Sequence, residues 1–105
     1  MDAQLKRGLL EVSVLALLTQ GDSYGYLLIK DISALMEISE STLYPVLRRL
    51  EAAGCLTVYS REHQGRLRKY YAITPAGRQK MQDFLQEWQA VNRVYEFIEG
   101  VNRHA

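Results

Sequence analysis

Apolar residues recur at helical spacing over the first half of the chain and predict three helices there. The segment from Leu5 to Gln20 is apolar on nearly every side, so we expect a first helix that other elements cover. Gly21-Asp22 interrupts this pattern, and Ser23 is the expected N-cap of a second helix. The inward face of the second helix is predicted to consist of Leu27, Leu28, Ile32 and Leu35.

The third predicted helix covers residues 40–53, with Ser39 as its N-cap and Gly54 just past its end. Its apolar stripe follows the i, i+3, i+4, i+7 spacing: Leu43, Val46, Leu47 and Leu50. The opposite face has Ser41, Pro45, Arg48 and Ala52 at its centre and Thr42, Tyr44 and Arg49 on its flanks. Pro45 stands just past the first turn, so it removes one hydrogen bond without ending the helix.

Two short strands joined by a basic loop follow the third helix. Residues 56–59 and 69–73 are rich in β-branched and aromatic side chains, which strands favour. The segment between them, residues 60–68, is polar and basic, with Gly65 at its tip. The pattern therefore predicts a β-hairpin over about residues 56–73, which would form a wing.

A long final helix completes the pattern. It is predicted to begin at Pro75, with Thr74 as its N-cap, and to run to about Glu99, where Gly100 is its expected end. The predicted fold class is therefore mainly α (α+β), a winged helix-turn-helix with one long C-terminal helix.

Composition and charge narrow the function classes. A chain of 105 residues with 48% hydrophobic and 24% charged residues has the composition of one globular domain. The formal net charge of +1 is unevenly distributed, because residues 40–80 hold eight Lys or Arg against three Asp or Glu, whereas the segments before and after are mildly acidic. This basic middle favours a polyanion as partner, and an ordinary solvated surface is the alternative.

The polar face of the third helix has the chemistry of a DNA-reading surface. A helix about 10–12 Å across fits the major groove, where Arg48 can bind guanine or phosphate. Ser41, Thr42 and Tyr44 offer hydroxyl groups for hydrogen bonds to DNA. The predicted wing adds cations for the DNA backbone or the adjacent minor groove: Arg61, Arg66, Arg68 and Lys69. Any solvated amphipathic helix can carry one arginine, and it is the basic hairpin that favours DNA.

Several short motifs occur in a fixed order along nearly the whole chain: Tyr24-Gly25-Tyr26, Ser41-Thr42-Leu43-Tyr44-Pro45, Arg49-Leu50-Glu51, Gly54, Gly65-Arg66-Leu67-Arg68-Lys69-Tyr70-Tyr71 and Thr74-Pro75-Ala76-Gly77. Together they resemble the PadR family of transcriptional regulators, and the single C-terminal helix is similar to its short subfamily. One departure is Leu67, where proline often follows the Gly-Arg pair, and we expect this residue to loosen the wing tip.

The resemblance implies a dimeric repressor that a small-molecule effector releases from its operator. Members of the short subfamily include multidrug-sensing regulators with a tryptophan in the last helix. Trp88 falls at the matching place, so the resemblance also implies multidrug binding there.

The last helix carries an apolar seam that can be read without any family. Its members repeat at alternating spacings of three and four, as a and d positions do: Met81, Phe84, Trp88, Val91, Tyr95 and Ile98. Leu85, Val94 and Phe97 widen it beyond what one small domain needs to cover a helix. We expect the seam to join two subunits, and the alternative is packing wholly within one subunit against the first helix.

Trp88 has two interpretations. It is either a large anchor of the dimer interface, or one wall of a pocket in which two copies hold a planar aromatic effector across the dimer axis. Such a pocket would be lined by Val12 of the first helix and by Leu85, Trp88, Val91 and Asn92 of the last. Asn92 is neutral, so the sequence does not predict selectivity for cationic ligands.

The remaining reactive side chains predict neither catalysis nor a cofactor nor a metal site. Cys55 is the only cysteine, and we expect a small buried apolar residue, with a redox sensor as the alternative. His63 and His104 do not stand in a zinc-binding spacing. The chain start lacks the pattern of a signal peptide, and no apolar stretch has the length of a membrane span, so a cytoplasmic protein is expected.

These patterns together predict a homodimeric, sequence-specific DNA-binding repressor with a pseudo-palindromic, double-stranded operator. Residues 1–74 are expected to form the DNA-binding domain, and residues 75–105 a dimerisation helix packed as part of the same single domain. The rival interpretation is a winged-helix protein-interaction module without DNA binding. Salt separates the two, because DNA affinity falls steeply with ionic strength and an aromatic-centred protein contact need not.

Overall fold

The first helix, α1 (Ala3–Leu18), begins where the Asp2 carboxylate accepts a hydrogen bond of 3.0 Å from the backbone N–H of Leu5. The computed structural model describes residues 1–105, and α1 lies across the middle of its core. The apolar residues of α1 face the other helices on several sides, with Leu10, Val14, Leu15 and Leu18 almost fully buried. This confirms the prediction of a covered first helix.

The second helix, α2 (Gly25–Ser33), corrects two expectations. Ser23 is not its N-cap: Tyr24 holds that position, while Ser23 exchanges backbone hydrogen bonds of 3.1 and 2.7 Å with Tyr71. This bridge ties the start of α2 to the hairpin and leaves the buried Ser23 hydroxyl without a hydrogen-bond partner. The inward position of Leu35 is also wrong, because the helix ends two residues earlier and this side chain is 70% exposed.

The third helix, α3 (Glu40–Ala52), matches its prediction closely. All four residues of the predicted apolar stripe are buried, and Pro45 lies inside the helix without ending it. Ser39 occupies the N-cap position, but its hydroxyl contacts the hydroxyl groups of Ser41 (2.9 Å) and Thr42 (3.2 Å) instead of capping the backbone.

The hairpin consists of β1 (Leu56–His63) and β2 (Arg66–Ile73), which pair antiparallel from Leu56 opposite Ile73 to His63 opposite Arg66. Gln64 and Gly65 form a two-residue turn with φ of 53° and 80°, the left-handed values that such tight turns require. Because the turn is so short, the ladder extends beyond the two predicted strands through residues 60–63 and 66–68 of the predicted basic hairpin. The expected loosening at Leu67 is wrong for the same reason, since this residue pairs with Glu62.

The last helix, α4 (Pro75–Arg103), begins as predicted, with the Thr74 hydroxyl accepting a hydrogen bond of 3.1 Å from the backbone N–H of Gly77. The same hydroxyl donates to the carbonyl of Gly54 at 2.6 Å. The expected end at Gly100 is wrong, because a glycine inside a helix costs only about 1 kcal/mol. An ion pair between Arg103 and Glu99, one turn apart, also supports the final turn.

The helices, hairpin and long final helix form the predicted winged helix-turn-helix. Its core joins α1, α2 and α3 to the base of the hairpin, where the predicted burial of Cys55 is confirmed. A helix of 29 residues is about 43 Å long, so α4 extends beyond the core and gives the chain dimensions of 62 × 27 × 21 Å.

Candidate nucleic-acid interface

The outer face of α3 is exposed over its whole length. Ser41, Thr42 and Arg48 are solvent-accessible, and Arg48 forms no ion pair within the chain. Tyr44 is 36% exposed and leans towards α2. The face thus offers a free guanidinium group and several hydroxyl groups to a partner.

A groove of about 430 Å³ joins this face to the hairpin. Its lining comes from three elements: Tyr24, Gly25 and Tyr26 at the start of α2, Tyr44 of α3, and Arg68, Lys69 and Tyr71 of β2. Gly25 allows the Tyr44 ring to approach closely, because a Cβ at its position would lie 2.5 Å from the Tyr44 hydroxyl and the ring would have to shift. Burial raises the pKa of Tyr71 above its ordinary value, so its hydroxyl stays protonated. The groove brings the Tyr44 hydroxyl of α3 and the cations Arg68 and Lys69 of β2 together.

The base of the wing is an aromatic cluster, formed by Tyr24, Tyr59 and Tyr70. The rings of Tyr59 and Tyr70 stack at 5.6 Å, and Tyr24 meets Tyr70 edge-on at 5.7 Å. The Tyr59 hydroxyl donates a hydrogen bond of 2.7 Å to Asp22, which raises the pKa of Tyr59. These contacts fix the direction in which the wing leaves the core.

The wing concentrates positive charge. Arg61 lies opposite Arg68 in the ladder, and two like charges in that arrangement repel each other. Both guanidinium groups lie over aromatic rings, Arg68 at 3.9 Å from the Tyr24 centroid and Arg61 at 4.9 Å from that of Tyr70. Arg66 and Lys69 are exposed on β2, the strand that also carries Arg68. No carboxylate neutralises these cations in an ion pair, so the wing favours a polyanion.

The apolar seam of α4 divides into two halves. Met81, Phe84 and Trp88 are half-buried, and the rings of Phe84 and Trp88 lie 5.6 Å apart. Beyond Trp88 the side chains are exposed, with Tyr95 and Ile98 each at 58%. Packing wholly within one subunit therefore does not cover this seam.

The predicted ligand residues are only partly brought together within one chain. Val12 lines a groove of about 590 Å³ between α1 and α4, opposite Phe84 and Glu87. Leu85, Trp88, Val91 and Asn92 do not line it, and they occupy the next turns of α4 without an enclosed cavity. The Asn92 amide donates to Glu96 at 3.3 Å. No group of three or more His, Cys, Asp or Glu side chains is arranged to hold a metal ion.

The model of the Transcriptional regulator PadR-like family matches residues 14–83, which include α3 and the whole wing. The chain belongs to this PadR-like family. The crystal structure of smu.1704 from Streptococcus mutans is similar, with a TM-score of 0.81, 41% identity and 90% of each chain covered. A PadR family transcriptional regulator from Eggerthella lenta gives a TM-score of 0.79 at 33% identity, over 91% of this chain and 87% of that one. An uncharacterized protein of Lysinibacillus sphaericus is 35% identical over 101 residues, 90% of this chain and 93% of its own.

Membership of the PadR-like family confirms the resemblance found in the sequence motifs. Members are transcriptional regulators, which confirms that the chain is not an enzyme. Family membership also supports a DNA-binding regulator. None of the four helices combines the length and the apolar character of a membrane span.

Sequence reasoning missed several residues of this candidate interface. Tyr24 and Tyr26 were noted only as part of a motif, Tyr59 only as a strand former, and Tyr70 as both. A two-residue turn at Gly65 places Tyr59 opposite Tyr70, so the hairpin register alone predicts their contact. The contact of Tyr24 with Arg68 depends on the packing of α2 against the wing, which no local pattern encodes.

Proposed function

We propose that this PadR-like protein is a cytoplasmic, ligand-responsive repressor that binds a pseudo-palindromic operator as a homodimer. The α3 helix enters the major groove, with Ser41, Thr42, Tyr44 and Arg48 towards the bases and neighbouring phosphates. Arg61, Arg66, Arg68 and Lys69 of the wing bind the flanking backbone. The observation that carries the proposal is the groove that joins Tyr44 of α3 to Arg68 and Lys69, because it makes helix and wing one continuous surface.

Arginine substitutions separate base recognition from backbone binding. Arg48→Ala should weaken operator binding by about 1–3 kcal/mol and relax specificity at one base pair of each half-site. Arg66→Ala should weaken operator and unrelated DNA alike and reduce the salt slope by about two, one for each subunit of the homodimer. Fluorescence anisotropy with both DNAs at several salt concentrations measures the two effects.

The DNA proposal has a definite failing result. If the wild-type protein shows no salt-dependent binding to promoter DNA but binds a protein partner, the proposed repressor is wrong. The chain is then a winged-helix protein-interaction module. If both variants keep wild-type affinity, α3 and the wing are not the contact surfaces.

Half-sites about 10 bp apart are expected, since two α3 helices related by a twofold axis meet successive turns of one DNA face.

The dimer proposal rests on the seam of α4, Met81, Phe84, Trp88, Val91, Tyr95 and Ile98. Its C-terminal half is exposed in the single chain and continues onto neighbouring apolar side chains, including Phe97 at 71% exposure. A contiguous apolar strip of this kind marks an association surface, and a second copy presents the same strip. The half-buried seam residues then continue the interface towards α1.

The effector proposal adds Val12, Leu85, Trp88, Val91 and Asn92 as the lining of a shared pocket for a planar aromatic compound. Trp88 is the only tryptophan, so a compound stacking between two copies should quench its emission saturably, with one compound per dimer. Trp88→Ala should remove most of the affinity, measured by calorimetry, and leave the dimer intact. N-acetyltryptophanamide titrated with the same dyes controls for optical artefacts. No saturable quenching, with a dimer weakened by Trp88→Ala, would make Trp88 a structural anchor only.

A further inference from the structure

Besides the groove of about 430 Å³ beside the wing, α3 borders a groove of about 420 Å³ on its other flank, against the start of α1. The α3 side of its lining includes Ser41 and Thr42, which the proposed function assigns to DNA. The lining carries three cations and no carboxylate: Ala3, Lys6, Arg7, Leu10, Ser41, Thr42, Pro45, Val46 and Arg49.

The two grooves lie on opposite sides of the recognition face. Steps of about 100° per residue place Tyr44 at one edge of the exposed face of α3 and Arg49 at the other, with Arg48 between them. Tyr44 lines the groove of the wing, and Arg49 lines the groove of α1. The α3 helix is therefore flanked by cations of the wing on one side and by cations of α1 on the other.

The cations of the α1 groove are not equivalent. Arg49 forms an ion pair with the Glu11 carboxylate at 3.4 Å, and Lys80 contacts the same carboxylate at 3.5 Å. Lys6 and Arg7 form no ion pair, and the nearby Asp2 carboxylate is engaged in capping α1. Two positive charges are thus left beside the hydroxyl groups of Ser41 and Thr42.

We propose that Lys6 and Arg7 bind phosphates along the edge of the major groove opposite the edge that the wing contacts. The inference rests on the proposed function. A helix about 10–12 Å across fills a groove about 12 Å wide, so the phosphates of both edges come next to the flanks of α3. Lys6 and Arg7 then hold the helix from the second side, independently of base sequence.

The test is the salt dependence of DNA binding by Lys6→Gln and Arg7→Gln. Each variant should lose two released counterions per homodimer, one from each subunit, which reduces the salt slope by about 1.8 and the affinity roughly thirtyfold at about 0.15 M salt, equally on operator and unrelated DNA. Arg93→Gln is the matched control, since it removes the same charge from the side of α4 away from the seam and should leave the slope unchanged. Thermal unfolding and light scattering confirm that all variants fold and assemble alike.

The outcomes are distinct. If both variants keep the salt slope of the wild-type protein, the inference is overturned. If Arg93→Gln loses as much salt slope as they do, the inference is overturned too, because the change in net charge then explains the effect. If Arg66→Ala loses slope while Lys6→Gln and Arg7→Gln do not, the proposed function stands and only the α1 contact fails. If the wild-type protein shows no salt-dependent binding, the proposed function itself fails. A neutral methylphosphonate at the contacted position should weaken the wild type and spare the variant that lacks its partner side chain.

Discussion

Val91→Glu is expected to dissociate the dimer, raising its dissociation constant by about a thousandfold. In the proposed dimer, Val91 lies at the seam, where a carboxylate would be desolvated without a partner. An uncompensated buried charge costs about 3–5 kcal/mol, and the twofold axis brings a second copy of the same charge nearby. In the single chain Val91 is exposed, so the fold itself should survive the substitution. Light scattering over a range of protein concentrations measures the effect.

Gln86→Glu is the matched control for this prediction. It adds the same charge to the same helix, but Gln86 is exposed on the side of α4 away from the seam, so the dimer should persist. Operator binding should fall only with Val91→Glu, since a monomer loses the contribution of the second half-site. A dimeric Val91→Glu would place the interface elsewhere, and a monomeric wild type at micromolar concentration would remove the basis of the palindrome and of the shared pocket.

Gly77→Ala is expected to lower the free energy of unfolding by about 2–3 kcal/mol, a result unlike that of most helical glycines. A Cβ on Gly77 would lie 2.2 Å from the carbonyl oxygen of Cys55 and 2.8 Å from a side-chain carbon of Ile73. The Cys55 carbonyl is held in place, because it accepts a hydrogen bond of 3.1 Å from the backbone N–H of Thr74. The first turn of α4 must therefore move away from Cys55 and Ile73 at the base of the hairpin, at the cost of buried contacts.

Gly100→Ala in the same helix provides the contrast. Nothing lies within 4 Å of a Cβ at Gly100, so alanine should stabilise the helix by up to about 1 kcal/mol through its higher propensity. Urea unfolding at one fixed protomer concentration, which the proposed dimer makes necessary, compares the two variants. Equal effects of both substitutions would contradict the close approach at Gly77.

The fold could be predicted wherever an element is buried on one side only, because such burial leaves a periodic pattern of apolar residues in the local sequence. The stripe of α3 follows helical spacing because each of its residues must reach the same core, so its exposed face was predictable together with its buried one. The N-cap at Thr74 was equally local. Ser23 shows the limit: a serine before a helix usually caps it, but its backbone here pairs with Tyr71, which lies far along the chain.

The candidate site was predictable where it follows single elements and was missed where elements meet. Arg48 and the wing cations belong to α3 and to the hairpin, and the sequence located them. Lys6 and Arg7 were overlooked because their segment carries an acidic excess overall, and only packing places them beside α3. The effector pocket is a different case, since its proposed lining needs a second chain to close it.

The attachment of α4 to the core couples any movement of α4 to a movement of α3. The Thr74 hydroxyl at the start of α4 donates a hydrogen bond to the carbonyl of Gly54, just past α3. The close approach of Gly77 to the carbonyl of Cys55 leaves no room for the first turn of α4 to shift towards the base of the hairpin. In a dimer joined through the far end of α4, each recognition helix therefore moves with its α4 as one body. Over an arm of about 43 Å, a change of about 5° in the angle between the two helices shifts α3 by roughly 4 Å. That distance is about the rise of one base pair, roughly 3.4 Å. A small group inserted between the two α4 helices would therefore shift the two α3 helices out of register with their half-sites on the DNA.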